Sequence, residues 1–166
     1  MDFKKLFEDI ADVKLKAKYF VQSSYDGSTD FCFTPKSDST AFSRCFGVFC
    51  YNFLGMNADL EPKNMEIAKA ICDDLASYKL FREANCANIL LDKHYLQLLA
   101  FSLSALSIVS PSTLNNLEVT KLIGSIDGLE KATNYAVRQP EKPQYGNINM
   151  AHGVLLVWLV ESGRLT

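Results

Sequence analysis

Apolar residues recur along most of this chain at the spacing of an α-helix, and three segments are apolar on nearly every helical face. These segments begin near residues 40, 93 and 148. A helix of this kind must be buried on most sides, because water would otherwise contact its apolar side chains. The segments between them carry charges on one side only, which predicts three buried inner helices covered by amphipathic outer helices.

Capping signals mark the ends of these helices. Residues 38–40 offer N-caps to the first inner helix, Gly55 ends it, and Asp92 caps the second. The segment 23–37 contains turn residues around a short apolar run, which predicts a loop or at most one small hairpin. The amphipathic helices are expected over residues 2–21, 62–78, 113–126 and 127–135.

The regular spacing of the inner helices predicts a repeated architecture. Successive inner helices start about 53 to 55 residues apart, and a repeat of this length is typical of helical hairpins that stack side by side. At 166 residues the chain fits a single domain with a good core. We therefore expect one all-α domain over residues 1–166, built from stacked α/α hairpins.

Composition excludes several classes of function. A net charge of -2 argues against a nucleic-acid or anionic-membrane partner, since both select a clustered basic excess. Charges recur every few positions near the N-terminus, so we expect no signal peptide. Polar residues and Pro111 interrupt the longest weakly charged stretch, residues 95–117, so we expect no membrane span and a cytoplasmic location. The five cysteines form no CxxC pair and have no histidine at ligand spacing, which predicts reduced, mostly buried thiols, no metal and no cofactor.

One candidate site involves the two histidines of the chain. On the helical interpretation, His94 and His152 both fall in the first turn of an inner helix, and Arg44 lies near the start of another. In a parallel array these helix N-termini share one rim, where the three side chains would bind an anion or a substrate. The alternative is that Asp92 and Asn147 are caps and the histidines are polar residues at helix ends.

A second candidate site is acidic. Asp59, Glu61, Asp73 and Asp74 lie on a loop or on the charged side of an amphipathic helix, and we expect them to be exposed. Adjacent carboxylates on a helix diverge by about 100°, so Asp73 and Asp74 are not arranged as a general acid and base. An exposed acidic set favours association with a basic protein such as a nuclease.

The segment GNINMAHGVLLVWLVESG resembles the inner helices of α/α-toroid proteins, such as six-hairpin glycosidases and terpenoid cyclases. Those families close a ring with about six hairpins, whereas this chain has about three, so the resemblance implies a half-toroid-like bundle. The aspartate-rich box of the cyclases is absent from the sequence. The function that this resemblance implies is that of a toroid enzyme or sugar-binding fragment with a pocket at the rim of His94 and His152.

A second resemblance is one of class. The chain is similar to the small, acidic, cytosolic immunity proteins that accompany bacterial contact-dependent growth inhibition and polymorphic toxins. It also contains no GxSxG motif, phosphate-binding loop or HExxH motif. We therefore expect a non-enzymatic inhibitor that covers the active site of a cognate basic toxin and so serves bacterial competition. The toroid fragment and a homodimeric scaffold of two half-rings are the alternatives.

Overall fold

The computed structural model describes residues 3–139 and 141–165. These residues form an all-α structure, which confirms the predicted fold class. Short 3-10 turns, Glu61–Lys63 and Ile89–Leu91, precede two of the longer helices. The α-helices are α1 (Phe3–Ser23), α2 (Ala41–Phe53), α3 (Asn57–Leu60), α4 (Asn64–Glu83), α5 (Lys93–Val109), α6 (Pro111–Asn116), α7 (Val119–Ile123), α8 (Ile126–Val137) and α9 (Pro143–Glu161).

Helix α5 is the central element of the described chain, because α2, α4 and α9 all pack against it. Ten of its 17 residues are buried, and Leu96, Leu98, Leu99 and Leu106 are completely inaccessible to solvent. Burial of one leucine side chain contributes about 1.5–3 kcal/mol to the hydrophobic stabilisation of a fold. The predicted burial of the second inner helix is therefore confirmed.

The long helices alternate in direction beside α5. Arg82 near the end of α4 binds Asp92 at the start of α5, and Met65 near the start of α4 contacts Ser110 just after α5. Helix α4 is therefore antiparallel to α5. The turn over residues 54–63 folds α4 back along α2, so α2 and α5 run in the same direction.

The prediction that all three apolar helices are buried on most sides is wrong for α2 and α9. Phe46 and Phe53 of α2 are 40% and 88% exposed. Met150, Val157 and Val160 of α9 are each at least half exposed. No helix of the described residues packs over these sides. Some apolar side chains of α2 and α9 therefore lie in the core, whereas others lie on the surface.

Two long helices have a boundary about one turn from its predicted position, and the helix predicted over residues 113–126 is instead two short helices, α6 and α7. Helix α4 continues to Glu83 instead of ending near Tyr78, and α9 begins at Pro143 instead of Asn147. Proline suits the first position of a helix, because an N–H at that position would have no partner within the helix. The earlier start of α9 moves His152 from the first turn into the middle of the helix.

The loop before α2 is held by local hydrogen bonds, as its turn residues predict. An antiparallel bridge joins Tyr25 to Phe31. The Thr40 hydroxyl caps α2 by accepting from the Ser43 amide at 3.0 Å. The Ser43 hydroxyl also contacts the carbonyl oxygen of Phe31, so the cap anchors the loop to α2.

Candidate functional site

Seven aromatic rings form a continuous surface over α2, α4, α5 and the loop before α2. Neighbouring ring centroids lie 5.2 to 6.3 Å apart, in tilted or edge-to-face geometry. Aromatic pairs prefer this arrangement because it aligns the positive edge of one ring with the negative face of the next. We call this set the aromatic surface, and its members are Phe33, Phe42, Phe46, Phe49, Tyr78, Phe81 and Phe101.

Helical spacing places three of these rings on one side of α2. Phe42, Phe46 and Phe49 are separated by four and three residues, so they share one face of the helix. All three contact Phe101 of α5, at centroid distances of 6.1, 5.2 and 6.2 Å respectively. Phe101 is thus the centre of the aromatic surface, and the packing of α2 on α5 determines the arrangement of the rings.

The aromatic surface is partly open to solvent. Phe33, Phe46 and Phe81 are 51%, 40% and 58% exposed, whereas the core aromatics Tyr51 and Tyr95 are at most 2% exposed. Contiguous exposed apolar surface is uncommon on a protein and often marks a binding site. Aromatic residues are also enriched at protein interfaces, because they bury a large area with few rotatable bonds. The chemistry of this surface therefore suits the apolar surface of another protein.

The open side of α5 extends the aromatic surface towards α9. Gln97, Ser104 and Ile108 lie one or two helical turns from Phe101 and are partly exposed. Ser104 also lines a groove of about 180 Å³ together with Val157 of α9. This side of the protein therefore combines aromatic and aliphatic contacts with a few side chains that form hydrogen bonds.

Sequence reasoning missed the aromatic surface, because it assigned the phenylalanines of α2 to the core. A signal was present in the number and spacing of these residues. Helix α2 has only 13 residues, yet it carries Phe42, Phe46, Phe49 and Phe53 on one side. Four phenylalanines on one face of so short a helix present more aromatic area than a single neighbouring helix covers.

Arg44 is buried and connects three parts of the protein. Its Nε donates to the Asp74 carboxylate at 2.9 Å, and its Nη1 donates to Asp30 at 2.8 Å and to the Thr29 carbonyl oxygen. Only 8% of the residue is exposed. These bonds join α2 to α4 and to the loop before α2. The guanidinium charge of Arg44 is therefore paired with carboxylates of the protein itself.

His152 is completely buried, with a partner near each ring nitrogen. Its Nε2 lies 2.9 Å from the carbonyl oxygen of Leu90, and its Nδ1 lies 3.1 Å from Oγ1 of Thr133. A carbonyl oxygen only accepts, so Nε2 carries the proton and Nδ1 has the free lone pair. Burial lowers the pKa of His152 below its ordinary value, because a charged imidazolium would lose its hydration there.

The structure does not bring Arg44, His94 and His152 together as the predicted rim requires. Arg44 and His152 bind separate internal partners, whereas His94 is exposed in the first turn of α5. The prediction also depended on a helix that starts at Asn147, but the start at Pro143 puts His152 in the third turn, against α8. The three side chains share no hydrogen-bond partner, so they do not form an anion site.

Acidification should destabilise the protein through His152. Folding lowers the pKa of His152, so below about pH 6.5 the unfolded chain binds a proton that the folded chain does not. The contribution of neutral His152 to the free energy of unfolding is fully present above this pH. This contribution decreases as the pH falls towards the lower pKa of His152 in the folded state. We expect the thermal midpoint to decrease between about pH 7.5 and about pH 5.5 in the wild type and in His94→Gln, and to change less in His152→Gln. Circular dichroism measures the midpoint, and an equal decrease in all three proteins would contradict this expectation.

Two of the four predicted acidic contact residues are engaged within the protein. Asp73 pairs with a lysine one turn earlier at 2.8 Å, and Asp74 pairs with Arg44 at 2.9 Å. Asp73 is nevertheless exposed, and so are Asp59 and Glu61 in the turn before α4. Asp74 is partly buried and holds Arg44 in place, so the prediction of a freely exposed carboxylate at this position is wrong.

The five cysteines are free thiols. Cys45 is buried and the other four are partly exposed, so the prediction that most of them are buried is wrong. Burial raises the pKa of the Cys45 thiol to about 11, so at neutral pH it stays protonated and behaves as a small apolar side chain. The described residues contain no cluster of three or more histidine, cysteine or acidic side chains that could hold a metal ion.

Comparison with known proteins adds no further assignment. No family model matches this chain. No curated protein and no solved structure shows significant similarity to it. Within the part of the chain that the structure describes, no helix combines the length and the apolar character needed to cross a membrane. The functional inference therefore depends on the residues of the site.

Proposed function

We propose that the chain is a non-enzymatic protein-binding inhibitor, an immunity protein that neutralises a cognate basic toxin in the cytoplasm by covering its active site. The observation that supports this proposal is the aromatic surface, which is contiguous, partly exposed and made of rings that pack against one another. Because packed helices hold all of these rings except Phe33, little conformational entropy is lost on binding.

The aromatic surface is made of residues that are enriched at protein interfaces. Complete burial of a phenylalanine side chain contributes about 1.5–3 kcal/mol, so the three half-exposed rings together contribute roughly 2–4 kcal/mol to binding. These rings are Phe33, Phe46 and Phe81. Phe46 contacts Phe101 directly, whereas Phe81 is linked to Phe101 through Tyr78 and Phe42. Gln97 lies one helical turn before Phe101 and is partly exposed, so its amide is available to form hydrogen bonds that orient a partner.

The exposed acidic residues attract a basic partner at long range. Asp59, Glu61 and Asp73 are exposed, and the chain as a whole carries a net charge of -2. Charges of this kind increase the rate and specificity of association more than the final affinity, and salt weakens their effect. We therefore assign the steering of a basic toxin to the acidic residues and the short-range contact to the aromatic surface.

The proposed architecture is a half-ring of stacked helical hairpins. The parallel direction of α2 and α5, with α4 antiparallel to both, supports this arrangement. In a complete toroid the open side of the inner helices would face the cavity, whereas here a partner protein would occupy it. A toroid enzyme with a pocket at His94 and His152 is not supported, because His152 is completely buried.

Affinity capture from the native host, followed by titration of the recovered protein, tests the proposal. The wild type is compared with the double variant Phe33→Ser/Phe46→Ser and with Tyr135→Ser, a 47% exposed ring on α8 outside the aromatic surface. We expect the wild type and the control to bind one basic protein and to abolish its toxic activity, with weaker binding at high salt. The double variant should bind at least about tenfold more weakly, because it loses about 1.4 kcal/mol or more of apolar burial.

Circular dichroism checks that the double variant keeps its fold, as expected for substitutions at half-exposed positions. Equal binding by all three proteins would show that the aromatic surface is not the interface. Recovery of no inhibited protein, together with a sugar or lipid bound to the chain, would overturn the proposed function.

A further inference from the structure

The first half of α1 lies outside the core. Every residue over 7–16 is exposed, and the large apolar side chains Phe7, Ile10 and Val13 are 68%, 53% and 65% exposed. The helix packs against the core from Ala17 onwards. The sequence predicts an amphipathic helix with one apolar side directed at the core, but the structure leaves this side uncovered in the first half of the helix.

An open groove separates this apolar side from the end of α2. Ile10, Val13 and Ala17 face Phe53 and Leu54 across a space of about 470 Å³. Because α2 ends at Phe53, no helix of the described chain lies opposite the earlier turns of α1. Phe53 forms the far wall of the groove and is 88% exposed.

A helical segment of this length has little stability by itself in water. Residues 7–16 continue from turns that pack on the core, so they need no new helix nucleus, but helix propagation by itself adds little net stability per residue in water. The ion pair between Lys16 and Asp12, at 2.6 Å, is exposed and contributes little. The first half of α1 therefore gains most of its stability from whatever covers its apolar side.

Two opposite charges flank this apolar side. Asp9 and Lys14 both border the groove, and at 100° per residue they lie on opposite edges of the strip that Ile10 and Val13 form. Both side chains are exposed. When two identical helices pack in parallel, residues five positions apart at these edges face each other across the interface. Asp9 of each copy would then face Lys14 of the other, so the surface is complementary to itself.

We infer that the apolar side of α1 pairs with the same side of a second copy of this chain, in a parallel two-stranded contact. Ile10, Val13 and Ala17 are separated by three and four residues, the spacing of the core positions in a coiled coil. Phe7 and Phe53 enlarge the contact. Complete burial of these exposed side chains in two copies would remove at most roughly 1,000 Å² from water, which is the lower limit of a specific interface.

A second copy matches this side of α1 better than a membrane surface does. Helices that lie on a membrane carry lysine and arginine beside their apolar side, because anionic headgroups attract positive charge. Helix α1 carries five lysines and three acidic residues, and one of these acids, Asp9, lies directly at the border of the apolar side. An identical helix can form ion pairs with both Asp9 and Lys14, whereas an anionic lipid surface attracts only Lys14.

Sedimentation equilibrium of the full chain tests the inference. We expect the wild type to form a dimer at about micromolar concentration, and Val13→Glu to raise the dissociation constant at least about tenfold. Leu15→Glu is the matched control, because Leu15 is 50% exposed on the same helix but lies outside the apolar side. The control should leave the dissociation constant unchanged.

Charge reversal tests the parallel geometry. Asp9→Lys and Lys14→Asp each place like charges opposite one another twice, so each should raise the dissociation constant about tenfold at low salt. The combined variant restores opposite charges at both positions. Its dissociation constant should return to within about threefold of the wild-type value.

A wild type that stays monomeric would overturn the inference, and so would a dimer that Val13→Glu does not weaken. A dimer weakened by Val13→Glu but not restored by the combined charge variant would overturn the parallel geometry. Flotation with anionic phospholipid vesicles provides the last test. Lipid binding that Val13→Glu abolishes, in a chain that forms no dimer, would assign this side of α1 to a membrane instead.

Discussion

Replacing Asp92 with alanine is expected to lower the free energy of unfolding by about 2–4 kcal/mol. Asp92 is 6% exposed and caps the central helix, where its carboxylate accepts from the Tyr95 amide at 2.8 Å and from Nε of Arg82 at 2.9 Å. Alanine removes both bonds and leaves an amide at the start of α5 without its acceptor. Chemical denaturation followed by circular dichroism measures the change.

Two further variants separate the contributions of Asp92. Asp92→Asn keeps an acceptor for the Tyr95 amide but loses the charge that binds Arg82, so we expect about half of the loss. Asp73→Ala breaks an exposed ion pair on α4 and should change the free energy of unfolding by less than about 0.5 kcal/mol. Equal losses from Asp92→Ala and Asp73→Ala would contradict the capping role of Asp92.

Gly47→Ala in α2 should lower the free energy of unfolding by about 2 kcal/mol, although alanine is the better helix former by about 1 kcal/mol. The added Cβ would overlap the ring of Phe31 and lie 2.7 Å from its Cβ. Phe31 has no room to move, because it is 2% exposed and its ring stacks on Tyr25 at 4.4 Å. Thermal and chemical unfolding should both report the loss.

The same substitution in α9 provides the control. No atom beyond the local helix lies within 4 Å of a Cβ added at Gly153, which is exposed. Gly153→Ala should therefore raise the free energy of unfolding by about 0.5–1 kcal/mol, through the lower backbone entropy of the unfolded chain. A stabilising effect of Gly47→Ala would mean that Phe31 does not pack on α2 as described.

Local signals in the sequence were sufficient to predict the central helix. Asp92 and Pro111 mark its two ends, and the leucines between them predict its burial, in agreement with the structure. Thr40 and Gly55 likewise mark the ends of α2, where Gly55 adopts a φ of 70°. These signals depend on hydrogen bonds and steric limits within a few residues, so they are contained in the local sequence.

The candidate site was not predictable from local signals, because the exposure of its side chains depends on how distant helices pack. A hydrophobic pattern indicates which side chains avoid water, but not whether they are covered by another helix of the chain or by a partner. The sequence positions of Phe46 and Phe53 are consistent both with cover by another helix of the chain and with cover by a partner. The position of His152 was wrong for a different reason, since the third inner helix was expected to begin near residue 148, whereas α9 begins at Pro143.

The uneven support of α1 means that the protein does not unfold as one cooperative unit. The turns from Ala17 onwards share the stability of the helices around α5, whereas residues 7–16 can open by breaking only local hydrogen bonds. Their opening is governed by the helix–coil equilibrium and not by burial in the core. In the monomer, a single melting temperature thus describes the core helices, while the first half of α1 has its own opening equilibrium and is accessible to a protease when it opens.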